Sequence, residues 1–162
     1  MRTDGRVASR AMARRVFRAE SEISAPASVV WAVLLDLASY AEWNPFTVSM
    51  RSTLAVGDPI DMRVHMSRWH LTISQRETVR AVEPPEGARA GRLVWGATMP
   101  GIVAERIQTV SPLGAARTRY VTEDAIEGAL AGLSFALFGG SLEDGFSGVA
   151  RELKRRAEAS RP

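Results

Sequence analysis

Between positions 60 and 66 the chain alternates strictly. Ile60, Met62, Val64 and Met66 are apolar, and Asp61, Arg63 and His65 between them are polar. A period of two puts the apolar set on one face of a β-strand and leaves the other face to water. The same rhythm runs over residues 14–24, where Phe17, Ala19, Ser21 and Ile23 alternate with Arg18, Glu20 and Glu22. Pro26 then suits the first turn of a helix, whose apolar face is Val29, Val30, Trp31, Val33, Leu34 and Leu37. A second short helix is expected over residues 38–42. It ends before Pro45, because the residue preceding a proline is pushed out of the helical region. Further strands are predicted over residues 46–53, 60–66, 69–82, 92–97, 103–110 and 116–126, separated by glycine- and proline-bearing turns.

The period changes near the end. Leu142, Phe146, Val149, Leu153 and Ala157 recur at three- and four-residue spacing, the stripe of an amphipathic helix. A helix is expected over residues 130–159, interrupted at Gly139 and Gly140. About twenty helical residues span roughly 30 Å, so an extended concave surface must receive the stripe. One strand, two short helices, a run of strands and one long helix make an α+β domain. Its short connections predict a curved antiparallel sheet of about seven strands wrapped around the C-terminal helix.

Composition narrows the function classes. The 162 residues fit one domain, and the formal net charge is only +3. Six arginines (Arg2, Arg6, Arg10, Arg14, Arg15, Arg18) crowd the first eighteen positions. The remainder is near neutral, which argues against a nucleic-acid face. Residues 1–13 read as a basic tail or accessory segment and residues 14–160 as the domain. With no cysteine, disulfides, thiolate metal sites and cysteine nucleophiles are excluded. Two histidines are too few for a histidine-rich metal site, and neither a metal nor a cofactor is expected. No apolar run reaches membrane-spanning length, so a soluble cytoplasmic protein without stable membrane insertion is expected, as a monomer or a homodimer.

Three stretches resemble one known family. Residues 24–31 (SAPASVVW), residues 40–46 (YAEWNPF) and residues 122–130 (TEDAIEGAL) are similar to the start of the first helix, the stretch after the short helices and the entry to the last helix in the START-like helix-grip superfamily, also called SRPBCC. The resemblance covers residues 16–159 and points to the polyketide cyclase/dehydrase branch. It implies a deep apolar cavity between sheet and long helix that holds lipids, sterols, polyketides or other hydrophobic small molecules. The family often has a His near position 106 and a Glu near position 124. This chain has Arg106 and Asp124 instead.

Matching the last two strands to the family's pattern turns Arg106, Gln108 and Val110, with Tyr120, Thr122, Asp124 and Ile126, toward the cavity. Arg106 and Asp124 are then cross-strand neighbours within reach of an ion pair, either a ligand contact or a structural pair. A bulge would instead turn Glu105 and Ile107 inward. Arginine stays protonated and is a poor base, so it would orient a carboxylate or polarise a carbonyl. Arg106, Tyr120 and Asp124 are the catalytic candidates if chemistry occurs. Trp43, Phe46, Met62, Met66, Trp95, Met99, Phe135, Phe138, Leu142 and Phe146, with Gln108, are the remaining expected ligand contacts. Gln75 and Glu77 share a face with Leu71, Ile73 and Val79. Their strand is read as leaving the core there, a cavity position being the alternative. Asn44 is expected to cap a turn, and residues 133–138 to act as a lid. Ligand binding is the leading expectation, a cyclase, aromatase or dehydratase the second, and a partner-docking module the third.

Overall fold

The computed structural model describes residues 14–160, so the basic segment 1–13 lies outside the described residues. Strand β1 (Arg14–Ile23) leads into helices α1 (Ala27–Leu35) and α2 (Tyr40–Trp43), joined by a 3-10 turn at Leu37–Ser39. Six strands follow: β2 (Thr47–Arg51), β3 (Pro59–Met66), β4 (Leu71–Glu83), β5 (Gly91–Met99), β6 (Ile102–Pro112) and β7 (Thr118–Glu127). Helix α3 (Ala131–Ala159) ends the domain. The sheet order is β1-β7-β6-β5-β4-β3-β2, antiparallel throughout. This is the helix-grip arrangement: a curled half-barrel around one long helix.

Alternation predicted the strands because one face of each is buried. Ile60, Met62, Val64 and Met66 are all buried, as are Phe17 and Ile23 on β1. The expected stripe on α3 is buried as well, with Leu153 and Ala157 fully enclosed. It packs chiefly along β1 and against α1. A fully buried Leu or Phe contributes about 1.5–3 kcal/mol, so this half of α3 closes the core. Asn44 acts as expected: its Oδ1 accepts hydrogen bonds from the backbone N–H groups of Phe46 and Thr47 at 3.0 and 2.7 Å.

Two expectations change. The strand thought to begin at Trp69 begins at Leu71, after a 3-10 turn at Ser67–Trp69 closed by His70 in the left-handed region (φ 49°). Helix α3 is continuous through Gly139 and Gly140. These glycines do not break it: a methyl at Gly139 would meet ordinary contact, and one at Gly140 the flexible end of Arg68. A Cβ on Gly139 would stand 3.6 Å from the Phe17 ring, and one on Gly140 2.9 Å from Arg68 Nε.

Gly145 and Gly148, about two turns later, do mark close approach. A Cβ on Gly148 would lie 2.8 Å from Pro45, and one on Gly145 would overlap the Phe46 ring. Phe46 is buried and held edge-to-face against Phe146, with centroids 5.1 Å apart, so it cannot swing aside. Gly145→Ala therefore lowers the thermal midpoint by a few degrees, because overpacking of about 1–3 kcal/mol outweighs the helix-propensity gain. A thermal melt showing a higher midpoint would contradict this packing.

Candidate functional site

The concave face of the sheet and the N-terminal half of α3 enclose a cavity of about 470 Å³. Its walls are largely apolar: Met62, Val64 and Met66 from β3, Ile73 from β4, Trp95 from β5, and Phe138, Leu142 and Phe146 from α3. Phe46 and Met99 also line it. The space exists because small residues stand where large ones would fill it. Ala97 pairs with Ala104 across β5–β6, and Ala104 with Ile126 across β6–β7. Gaps of this kind leave no periodic signal, and neither alanine was expected at the site.

Arg106 is the polar centre of the inner wall, only 6% exposed. The β6–β7 register is regular and pairs Arg106 with Asp124, so the inward parity is as expected. Glu105 points outward and pairs with Arg80 at 3.1 Å. Irregularities fall elsewhere, between Thr47 and Ser49 on β2 and between Val79 and Ala81 on β4. The expected ion pair does not form: no carboxylate of the described residues lies within 4.0 Å of the Arg106 guanidinium. Its Nε donates to Thr122 Oγ1 at 3.2 Å. Its guanidinium carbon lies 4.5 Å from the centroid of Phe146, 5.6 Å from Trp95 and 5.7 Å from Phe46. Ring faces attract cations, by up to about 2 kcal/mol when water is excluded. The rings and Thr122 therefore hold the guanidinium in place of Asp124.

Two carboxyls face the same space. Glu77 lines the cavity together with Gln75 and Asp124, which corrects the reading that this strand leaves the core. Burial pushes the Glu77 carboxyl up to about 7, with the nearby Asp124 adding and Arg106 and Arg80 opposing. Burial pushes Asp124 up to about 6 against the pull of Arg106. The signal for Glu77 was its shared parity with Ile73 and Val79.

Four expected contacts lie away from the cavity wall. Tyr120 and Gln108 are buried apart from it, and the Tyr120 hydroxyl donates to Gln108 Oε1 at 2.6 Å. Burial raises the Tyr120 hydroxyl. Trp43 packs edge-to-face on Tyr40 at 5.0 Å. Phe135 stacks on Phe17 at 5.4 Å and is largely exposed. The expected lid is thus part of one continuous helix, with Phe138 facing the cavity and Phe135 turned from it. The 3-10 turn at Ser67–Trp69 is fastened to this helix. Trp69 Nε1 donates to the Leu137 carbonyl at 2.8 Å, the Arg68 backbone N–H to Ser141 Oγ at 3.1 Å, and Arg68 Nε and Ser67 Oγ to Asp144 Oδ2 at 3.0 and 3.1 Å.

A curled antiparallel sheet gripping one helix around an apolar, polar-centred cavity is the helix-grip fold. The chain belongs to the polyketide cyclase/dehydrase and lipid transport family, whose model matches residues 14–158. No curated protein matches it by sequence. Among solved structures it is similar to the Zhui aromatase/cyclase of Streptomyces sp. R1128 (20% identity, 90% of this chain and 94% of that one, TM-score 0.67). It is also similar to Thalictrum flavum norcoclaurine synthase in complex with dopamine and hydroxybenzaldehyde (13% identity, 100% and 96%, TM-score 0.66). A START superfamily protein from Mycobacterium smegmatis is a third (19% identity, 89% and 97%, TM-score 0.62). At these identities the likeness is one of fold. Among the described residues, no helix is long and apolar enough to cross a membrane.

The raised carboxyls carry a pH signature. An acid whose folded value exceeds its unfolded one favours folding in its protonated form. Stability therefore falls as pH rises from the unfolded to the folded value. For Glu77 that window runs from 4.5 to about 7. Glu77→Gln removes this loss, so the variant's midpoint should exceed the parent's by about 5 °C at pH 8 and converge with it near pH 4. Parallel thermal melts across pH measure the difference. A gap that is constant with pH, or that widens in acid, would contradict the assignment.

Proposed function

We propose that the protein binds a hydrophobic small molecule in this cavity, with the apolar body of the ligand against Phe46, Met62, Met66, Trp95, Phe138 and Leu142 and its polar end toward Arg106. The observation that carries the reading is a partly open cavity of about 470 Å³ with apolar walls and a few converging polar side chains. Small-molecule sites have this form and size. Methionines suit a wall that adapts to ligands of different shape. The family, whose description names both polyketide chemistry and lipid transport, supports the same reading.

Uptake of the neutral dye Nile red tests it. The parent protein takes up the dye saturably, and protein purified from its own host retains a small molecule in native mass spectra. Ala104→Trp fills the space from β6 and should weaken dye binding about tenfold or more while the melting transition stays cooperative. A protein that is always empty and takes up no dye would overturn the proposal.

A second reading is favoured by one observation: Glu77 and Asp124 face one cavity with carboxyls raised to about 7 and about 6. Such a pair supplies a proton donor and an acceptor near neutrality. It suits a cyclase- or dehydratase-type reaction that begins with proton removal beside a carbonyl. Arg106 would stabilise the enolate oxygen. Tyr120 would act only through its neighbours, being set behind the wall. Deuterium exchange beside the carbonyl of an aryl alkyl ketone, followed by NMR, tests this reading. Glu77→Gln and Asp124→Asn should each lower the protein-dependent rate about 10²–10⁴-fold. Undiminished exchange in both variants would remove the enzymatic reading.

A further inference from the structure

A guanidinium carries five N–H donors in a rigid fork. Arg106 places its Nε–H in a hydrogen bond to Thr122 Oγ1, and the Tyr120 hydroxyl also lies close beside it. Among the described residues, its terminal amino groups have no carboxylate within 4.0 Å, and the residue lines the cavity. The other cations described are different in kind. Arg68, Arg76 and Arg80, for example, sit at the surface in pairs with Asp144, Asp61 and Glu105 at 3.0, 2.6 and 3.1 Å. A buried cation without a counter-ion is costly by several kcal/mol, and three ring faces return only part of that.

The two cavity acids do not supply the missing charge by contact. Asp124 is the cross-strand partner of Arg106, yet its carboxylate stays beyond 4.0 Å. Neither Asp124 nor Glu77 accepts a hydrogen bond from a described side chain within 3.5 Å. Both therefore keep unused hydrogen-bonding capacity facing the same cavity as Arg106. A phosphate would bring two negative charges against one cation and two acids. A neutral carbonyl would leave the guanidinium charge unmatched. A single carboxylate matches both the charge and the fork, since arginine and carboxylate pair through two parallel hydrogen bonds.

Building on the proposed binding role, we propose that the natural ligand is an amphiphilic carboxylic acid, seated with its carboxylate on the terminal N–H groups of Arg106 and its apolar body toward Met62, Met66 and Phe138. Glu77 and Asp124 flank the head group as proton donors.

Competition against bound Nile red by decanoate, decan-1-ol and decan-1-amine at pH 6 tests this. The three share one apolar chain and differ only in the head group. Decanoate should displace the dye about tenfold more strongly than the alcohol, and the amine least. Arg106→Gln should collapse the acid-to-alcohol ratio toward one. Asp124→Asn should hold it, because the amide N–H replaces the carboxyl O–H as donor, and Arg106→Lys, which keeps the charge but loses the two-pronged fork, should lower it and decides the matter if Arg106→Gln does not fold. Equal displacement by acid and alcohol, strongest displacement by the amine, or an acid preference that survives Arg106→Gln would overturn the proposal while leaving the binding role intact. Failure of the parent protein to take up Nile red would remove the binding role itself.

Discussion

One straight helix cannot fill the concave side of a curled seven-stranded sheet along its whole length. Everything distinctive in this domain follows from where α3 makes contact and where it does not. Its C-terminal half is pressed into β1 and α1 through Val149, Leu153 and Ala157, while Leu142 and Phe146 at its middle turn to the cavity. Gly145 and Gly148 let Phe46 and Pro45 come against the helix backbone, which fixes the ring that helps to hold Arg106. The other half leaves the sheet uncovered, and Ala97 and Ala104 withhold the volume that would close the gap. The cavity is thus a consequence of geometry that small side chains preserve.

The polar centre follows a different logic. A cation and two acids facing a low-dielectric space do not pair with one another, although the strand register brings Arg106 and Asp124 opposite. Satisfied internally, they would make an inert and more stable core. Left apart, they keep hydrogen-bonding capacity directed inward, and the domain is less stable for it. Local violations of good packing of this sort are expected where a fold is used for something.

The fold was legible because its signals are periodic. Period two marked the strands, and period 3.6 marked the α3 stripe. Which faces of β6 and β7 turn inward came from the family resemblance, and the absence of a bulge between the two strands let it hold for Arg106 and Asp124. What escaped was whatever depends on partners distant in the chain. The guanidinium is held by Phe46 and Phe146, a hundred positions apart, so its missing ion pair could not be read from strand pairing. Gln75 and Glu77 were misjudged because polar residues on an apolar face ordinarily mean that a strand is leaving the core. In a hollow domain the same pattern means that it lines the hollow. Gly139 and Gly140 read as a break because glycine is a poor helix former, yet the helix runs through them, held on either side by packing and by the Ser67–Trp69 turn.

The fastening of the Ser67–Trp69 turn to α3 gives the two ends of the helix unlike chemistry. The far end is held by apolar burial, which salt leaves intact or strengthens. The end beside the cavity is held by Arg68, Ser67 and Asp144, all in contact with solvent. Exposed charge pairs weaken within a Debye length of about 8 Å at physiological ionic strength and more at higher salt. Ionic strength therefore weakens one tie at the cavity's edge, while the neutral bonds from Trp69 and the Arg68 backbone, and the closed core, are spared.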